Sequence, residues 1–151
     1  MAILDQTALS LELSRRFAAP PERVFDAWLS HDWGEWLGPP DSRCTIVELD
    51  PQVGGAFRVQ MTMSDGRAIE ISGTYSEISR GQKLAFSWNS DYAQQRMTIA
   101  VTFRPDGDGT MMTLRQEGFP NAKLQAGYGA GWSGPSGSFD KLAAMLARTG
   151  S

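Results

Sequence analysis

The stretch Asn121–Ser151 reads NAKLQAGYGAGWSGPSGSFDKLAAMLARTGS and carries the longest helical pattern in the chain. Leu124, Tyr128 and Trp132 fall four residues apart. Four further apolar residues repeat the i, i+3, i+4, i+7 spacing of one helical face, namely Phe139, Leu142, Ala143 and Leu146. Because this pattern follows a series of strands, it predicts an α+β fold in which a C-terminal helix lies on a sheet.

Glycines and a proline weaken this helix. In a helix interior glycine costs about 1 kcal/mol and proline about 3 kcal/mol relative to alanine. The Pro135 ring would also clash with the carbonyl group of Gly131. The stretch therefore predicts two helical pieces, one over 121–132 and one starting near Pro135. We expect the second piece to anchor on the sheet and the glycine-rich first piece, with Tyr128 and Trp132, to act as a gate.

Length and charge limit the function classes. The 151 residues fit one domain, residues 1–151, and the net charge is −3. Nucleic-acid binding is not expected, because a basic patch is missing and Arg15-Arg16 is the only adjacent basic pair. No apolar run approaches the roughly 20 residues of a membrane span, and no signal peptide is evident. With one cysteine, no intramolecular disulfide can form. A cytoplasmic protein is the expectation.

The middle of the chain alternates apolar and polar residues, which is typical of half-buried strands. Tight turns separate these runs, for example at Asp65-Gly66 and Asp106–Gly109, and a polar loop is expected over Asn89–Gln95. The spacing predicts an antiparallel meander of about six to seven strands with one apolar face. After the first strand, two short tryptophan-bearing helices are predicted to plug one end of the sheet, with Ser30 or Asp32 capping the second.

Several motifs, in order along nearly the whole chain, resemble the START-like (SRPBCC) superfamily. More narrowly, they resemble the family named after the activator of the heat-shock-protein-ninety ATPase. The motifs are Ala19–Phe25 with Ala27-Trp28, Trp36–Pro39, Val53–Gly55, Gly73–Ile78, Leu84–Trp88, Thr113–Phe119, and Gly131-Trp132 with Phe139–Leu142. The resemblance implies a helix-grip fold, a curved antiparallel sheet wrapped round a long C-terminal helix with a cavity between them. It also implies functions ranging from hydrophobic-ligand binding to polyketide cyclisation and co-chaperone activity.

Two positions depart from the family pattern. Gln116 stands where family members often carry histidine, which removes an ionisable group from the expected cavity. The segment Ser133–Ser136 lengthens the junction between Gly131-Trp132 and the last helix, which again favours a broken helix.

Few residues favour catalysis. His31 is the only histidine, and beside Asp32 it is expected to be structural or solvated rather than a catalytic base. With one histidine and one cysteine, a zinc site of nitrogen and sulfur ligands is not expected, and no cofactor is implied. Cys44 is expected to be a half-buried packing residue. Glu70 and Glu117 fall on the polar phase of their strands, so an acid–base pair in the cavity has little support.

Two further patterns resemble known sites only superficially. The glycine spacing over 129–134 matches a dinucleotide motif outside its required strand and helix context, and is taken as chance. The run Asp106–Gly109 lacks the downstream glutamate of a calcium loop and is expected to be a hairpin turn. Arg15 is expected to reach the cavity rim or, with more support, to pair with an acid such as Glu117.

The apolar face of the sheet is the candidate site for a small hydrophobic or aromatic ligand. The apolar residues of this face would also suit an ordinary core. Two observations favour a ligand site instead: methionine and tryptophan are frequent on this face, and Gln116 is in phase with Met112 and Leu114, so a polar group would face the interior. The alternatives that stay open are a module that binds a chaperone partner and, with less support, a cyclase or hydrolase. The candidate ligand-binding residues are Trp36, Phe57, Val59, Met61, Ile71, Phe86, Trp88, Met97, Ile99, Val101, Leu114, Gln116, Tyr128 and Trp132.

Overall fold

The structure is a computed structural model that describes residues 9–90 and 95–149, so the ends of the predicted domain and part of the predicted Asn89–Gln95 loop lie outside it. Within the described residues the chain forms seven strands and four helices. Their bounds are β1 Leu9–Phe17, α1 Pro21–Leu29, α2 Trp33–Trp36, β2 Arg43–Leu49, β3 Ala56–Thr62, β4 Ala68–Ser79, β5 Lys83–Ser90, β6 Gln95–Asp106, β7 Gly109–Phe119, α3 Ala122–Ser133 and α4 Ser138–Thr149.

The seven strands form one antiparallel sheet in the order β1-β7-β6-β5-β4-β3-β2. Strands β2 to β7 make the predicted meander, and β1 returns to pair with β7, so that Leu13 lies opposite Leu114. The Asp65-Gly66 turn lies between β3 and β4, where Gly66 takes a φ of 89° that a residue with a side chain rarely adopts. The predicted α+β helix-grip fold is confirmed.

Strand β5 is longer than the sequence suggested. Asn89 was assigned to a polar loop, but it pairs with Arg96 in the β5–β6 ladder, and Ser90 pairs with Gln95. Ser90 is buried, because it continues the inward phase of Trp88. The prediction was wrong here because polar residues at a strand end look like a loop when the partner strand is unknown.

The tryptophans of the two short helices reach further than a plug at one end of the sheet would. Trp28 of α1 and Trp33 of α2 are buried, and both rings contact Phe86 at 6.3 Å between centroids. Phe86 belongs to β5, the middle strand of the seven. Indole rings are large enough to reach from a short helix to the centre of a sheet, so the cover of the apolar face is shared between α1, α2 and the C-terminal helices. Of the two predicted caps, Asp32 makes no side-chain bond to α2, whereas Ser30 Oγ accepts the backbone N–H of Asp32 at 3.3 Å in the turn that leads into the helix.

The C-terminal helix is broken as predicted, with Pro135 in the connection between α3 and α4. Helix α4 begins at Ser138, slightly later than expected. Its first turn is tied to the sheet, because Arg15 on β1 donates a hydrogen bond of 2.6 Å to Asp140, whose other oxygen accepts the backbone N–H of Ser136 at 2.8 Å. These bonds hold the pKa of Asp140 below its ordinary value, with the Arg15 bond the larger cause.

The partner of Arg15 is an acid, but not the one suggested by the sequence. Glu117 instead accepts a hydrogen bond of 2.6 Å from Arg115, two residues away on the same strand. Side chains two residues apart on a strand share one face of the sheet, so Arg115 reaches Glu117 on the polar face while Arg15 turns toward α4. Both ion pairs are partly exposed, so they order the side chains more than they stabilise the fold.

Candidate functional site

A pocket of about 250 Å³ lies between the sheet and helix α3. One wall comes from β3, β4 and β5, where inward-facing residues alternate along each strand. The opposite wall is α3, whose residues at 124, 127, 128, 131 and 132 follow the spacing of one helical face. The loop after α2 and the first residue of α4 form the floor, with Leu37, Gly38, Pro39 and Ser138.

The structure brings five of the fourteen candidate residues to the pocket wall, namely Met61, Ile71, Trp88, Tyr128 and Trp132. The other nine pack in the core behind the pocket, each at most 2% exposed: Trp36, Phe57, Val59, Phe86, Met97, Ile99, Val101, Leu114 and Gln116. The apolar face of the sheet therefore divides into a packed region and an open region. The two regions differ because the side chains of Trp28, Trp33 and Trp36 fill the packed one.

Several wall residues were missed by sequence reasoning. Met63 and Ile69 share the inward phase of Met61 and Ile71, so the alternation could have identified them. The pattern over Leu37, Gly38 and Pro39 predicts only the end of a helix. The sequence places Ser90 in a loop. Ser138, Gly127 and Gly131 have no pattern that marks a pocket wall, because their place depends on where α3 and α4 meet.

Gln116 points inward, as its strand phase predicted, and its side chain is fully buried. Its amide oxygen accepts a hydrogen bond of 2.9 Å from Trp132 Nε1, and its amide nitrogen lies 3.4 Å from the sulfur of Met97. The amide thus has partners inside the protein, as a buried polar group requires. Gln116 therefore does not line the pocket itself but holds the Trp132 ring in the pocket wall.

A second hydrogen bond crosses the pocket wall between strand and helix. Trp88 Nε1 on β5 donates to the Tyr128 hydroxyl oxygen on α3 at 3.1 Å. The Tyr128 ring also packs on Phe119, with 5.5 Å between ring centroids. Burial raises the pKa of Tyr128, so its hydroxyl stays protonated at neutral pH.

The floor of the pocket is closed by Ser138, which is buried at the start of α4. Its hydroxyl accepts the backbone N–H of Gly38 and donates to the carbonyl oxygen of Gly38, both at 3.0 Å. This hydroxyl both donates and accepts a hydrogen bond inside the protein. It therefore links the loop after α2 to α4 and leaves the floor apolar.

The charged side chain of the described pocket wall lies at the mouth of the pocket. Among the described wall residues Arg67 alone carries a charge, and it lies in the exposed turn between β3 and β4. Its guanidinium group is 3.5 Å from a carboxylate oxygen of Asp65. Asp65 therefore balances the charge of Arg67, and the described inner wall is apolar apart from the Ser90 hydroxyl and the indole and hydroxyl groups described above.

The residues weighed for catalysis lie away from the pocket. His31, Glu70 and Glu117 are exposed. Cys44 is half-buried, and burial raises the pKa of its thiol to about 11, an effect that nearby Lys141 partly opposes. The thiol form therefore dominates at neutral pH, which supports a packing role. Across residues 9–90 and 95–149, no group of three potential metal ligands comes together.

Residues 18–147 match the family described as Activator of Hsp90 ATPase homolog 1-like protein. The chain belongs to this family. Among solved structures, a Chromobacterium violaceum protein is 30% identical, with a TM-score of 0.84 over 91% of this chain and 96% of that one. No protein with a curated description matches the sequence. The predicted family resemblance is thus confirmed for the Activator of Hsp90 ATPase homolog 1-like family.

Two more distant solved structures are similar in fold alone. A Silicibacter pomeroyi protein of the family is 24% identical, with a TM-score of 0.77 over 93% of this chain and 99% of that chain. An Arthrobacter aurescens protein is 21% identical, with a TM-score of 0.80 over 93% of this chain and 87% of that chain. In the part of this family member that the structure describes, none of the helices combines the length and hydropathy needed to cross a bilayer.

Proposed function

We propose that this protein binds a small apolar or aromatic molecule in the pocket between β3–β5 and α3. The observation that carries the proposal is a pocket of about 250 Å³ whose inner wall is largely apolar and which side chains leave open, beside a core in which the other inward-facing residues are buried in one cluster. The START-like fold of its family commonly binds hydrophobic ligands, which supports the same conclusion. Burial of ligand surface at about 25 cal/mol per Å² would supply the affinity.

The pocket limits the size of the ligand and tolerates variation in its shape. Its volume is somewhat below the roughly 300–1,000 Å³ of sites for drug-sized molecules, so a molecule of one or two rings is the best match. Met61 and Met63 form part of the strand wall. Unbranched methionine side chains adapt to different surfaces, so the pocket is suited to several related ligands.

Filling the pocket tests the proposal. Replacing Met63 with tryptophan adds a bulky ring at the half-buried entrance, and we expect the affinity for 2-acetylnaphthalene to fall at least about tenfold. The control is Thr62→Trp, one residue earlier on the exposed face of β3, which should retain wild-type affinity within about twofold. Equilibrium dialysis measures both. Failure of the wild type to bind any of a broad set of aromatic and lipid probes would refute the proposed function.

Entry to the pocket is proposed to require movement of α3. Only Trp132 of this helix is buried, and the connection at 134–137 separates it from α4. Side chains would fit at two of its glycines: a Cβ atom added at Gly127 has no neighbour within 4 Å, and one at Gly131 lies 3.8 Å from the Pro39 Cβ atom. Packing therefore does not require glycine at these positions, and glycine weakens the helix by about 1 kcal/mol at each.

Stiffening α3 should therefore slow ligand exchange. We expect the double change Gly127→Ala and Gly131→Ala to lower the dissociation rate at least about fivefold, because helix unwinding becomes harder. Ala130→Gly at an exposed position of the same helix should raise the rate. Stopped-flow displacement of bound 2-acetylnaphthalene measures both changes. Equal rates in all three proteins would show that α3 does not act as the gate.

The binding proposal does not include catalysis, because the described residues that line the pocket contain no carboxylate and no imidazole. A chaperone partner remains an alternative that rests on the family's name. A pull-down that recovers a chaperone through a surface away from the pocket would favour it. We place the protein in the cytoplasm as part of the same proposal.

A further inference from the structure

We infer that the ligand is an uncharged apolar molecule with one hydrogen-bond-accepting oxygen, such as a ketone or an ester, and that the Tyr128 hydroxyl donates to this oxygen. The inference rests on the proposed function and names the ligand class of the same pocket. It follows from the direction of the hydrogen bonds in the wall.

The bond between Trp88 and Tyr128 has only one possible direction. An indole nitrogen donates and cannot accept, so the Tyr128 oxygen must be the acceptor in the bond of 3.1 Å. The hydroxyl proton of Tyr128 then needs an acceptor of its own. Among the described residues this hydroxyl donates no hydrogen bond, so its proton is available to a molecule in the pocket.

Two neighbouring polar groups in the wall are already engaged. Trp132 Nε1 donates to Gln116, and the Ser138 hydroxyl both accepts from and donates to Gly38. Neither has a donor left for a ligand. The Ser90 hydroxyl also lines the pocket and has an interaction of its own within the protein. Among the described wall residues, Tyr128 is therefore the donor to which we assign the discrimination between an oxygen and a methylene group.

Two features favour a neutral ligand. Burial raises the pKa of Tyr128, so the hydroxyl remains a donor across the neutral range and does not become an anion. At the mouth, the charge of Arg67 is balanced by Asp65 at 3.5 Å, so the pocket offers no net positive charge to a carboxylate. A neutral acceptor on the ligand accepts the hydrogen bond from Tyr128 without placing an uncompensated charge in an apolar site.

A matched pair of ligands tests the inference. The compounds 2-acetylnaphthalene and 2-isopropenylnaphthalene have the same shape and differ in C=O against C=CH₂. In equilibrium dialysis, we expect wild-type protein to bind the ketone about tenfold more tightly, the usual effect of one neutral hydrogen bond. In Tyr128→Phe the ratio of ketone to alkene affinity should fall to one or below, because the ketone oxygen then loses its water without gaining a partner. The ratio is compared within each protein, so a general loss of affinity cancels.

Tyr75→Phe is the matched control. Tyr75 is also buried and its hydroxyl has no hydrogen-bond partner among the described residues, but it does not line the pocket. This variant should keep the tenfold preference.

The outcomes separate the inference from the proposed function. Equal binding of the two compounds by wild-type protein would overturn the inference and leave the binding proposal intact. A preference for the ketone that persists in Tyr128→Phe would also overturn it, because another group would then be the donor. Binding of neither compound, nor of other aromatic probes, would remove the proposed function itself.

Discussion

Replacing Trp28 with alanine is expected to lower the free energy of unfolding by about 4 kcal/mol, because loss of a buried tryptophan removes apolar burial and leaves a cavity. The Trp28 ring packs on three others, with centroid distances of 4.8 Å to Trp36, 5.8 Å to Trp132 and 6.3 Å to Phe86. Its Nε1 atom lies 3.4 Å from the sulfur of Met112. The ring thus joins α1 to the sheet and to α3. Urea unfolding followed by circular dichroism measures the change.

The control for Trp28 is Glu22→Ala in the same helix. Glu22 is exposed in the first turn of α1, so its replacement should change the unfolding free energy by no more than about 0.5 kcal/mol. A cost of less than about 1.5 kcal/mol for Trp28→Ala would contradict the packing described here.

Replacing Gln116 with leucine is expected to cost about 2 kcal/mol, although leucine is apolar and similar in size. The change removes the oxygen that accepts from Trp132 Nε1, and a buried donor left without a partner costs about 1–3 kcal/mol. Gln116 is fully buried, so water does not replace the lost acceptor without rearrangement of the core. The variant should also lose ligand affinity, because the Trp132 ring is no longer fixed in the pocket wall.

A double-mutant cycle separates the hydrogen bond from general packing. Trp132→Phe removes the donor, so adding Gln116→Leu to it should cost clearly less than Gln116→Leu alone. The coupling between the two positions should be about 1 kcal/mol or more. Additive costs would show that the bond of 2.9 Å contributes nothing specific, and Gln116 would then be an ordinary core position.

The parts of the fold that the sequence predicted depend on local chemistry. Alternation identifies β3 and β4 because one face of each strand is buried, and Asp65-Gly66 fixes their turn through the positive φ of glycine. Pro135 breaks the C-terminal helix through a clash within its own turn. Such signals act over a few residues, and the sequence contains them directly.

The errors concern contacts between distant parts of the chain. The phase of Arg15 did not identify Asp140 as its partner, because the residues are 125 positions apart and meet only through the docking of α4. The open part of the sheet face could not be separated from the packed part, because this depends on how far Trp28 and Trp33 extend. Periodicity identifies which side chains face inward, whereas the space left between them depends on tertiary packing.

The aromatic packing also has an optical consequence. All five tryptophans belong to one chain of neighbouring rings, in which the successive centroid distances for Trp36, Trp28, Trp132, Trp88 and Trp33 are 4.8, 5.8, 5.9 and 6.5 Å. Indoles at such separations exchange excitation energy by resonance transfer. A ligand that contacts only Trp88 and Trp132 therefore affects the emission of all five rings. The tryptophan fluorescence of the whole protein thus reports on binding in one small pocket.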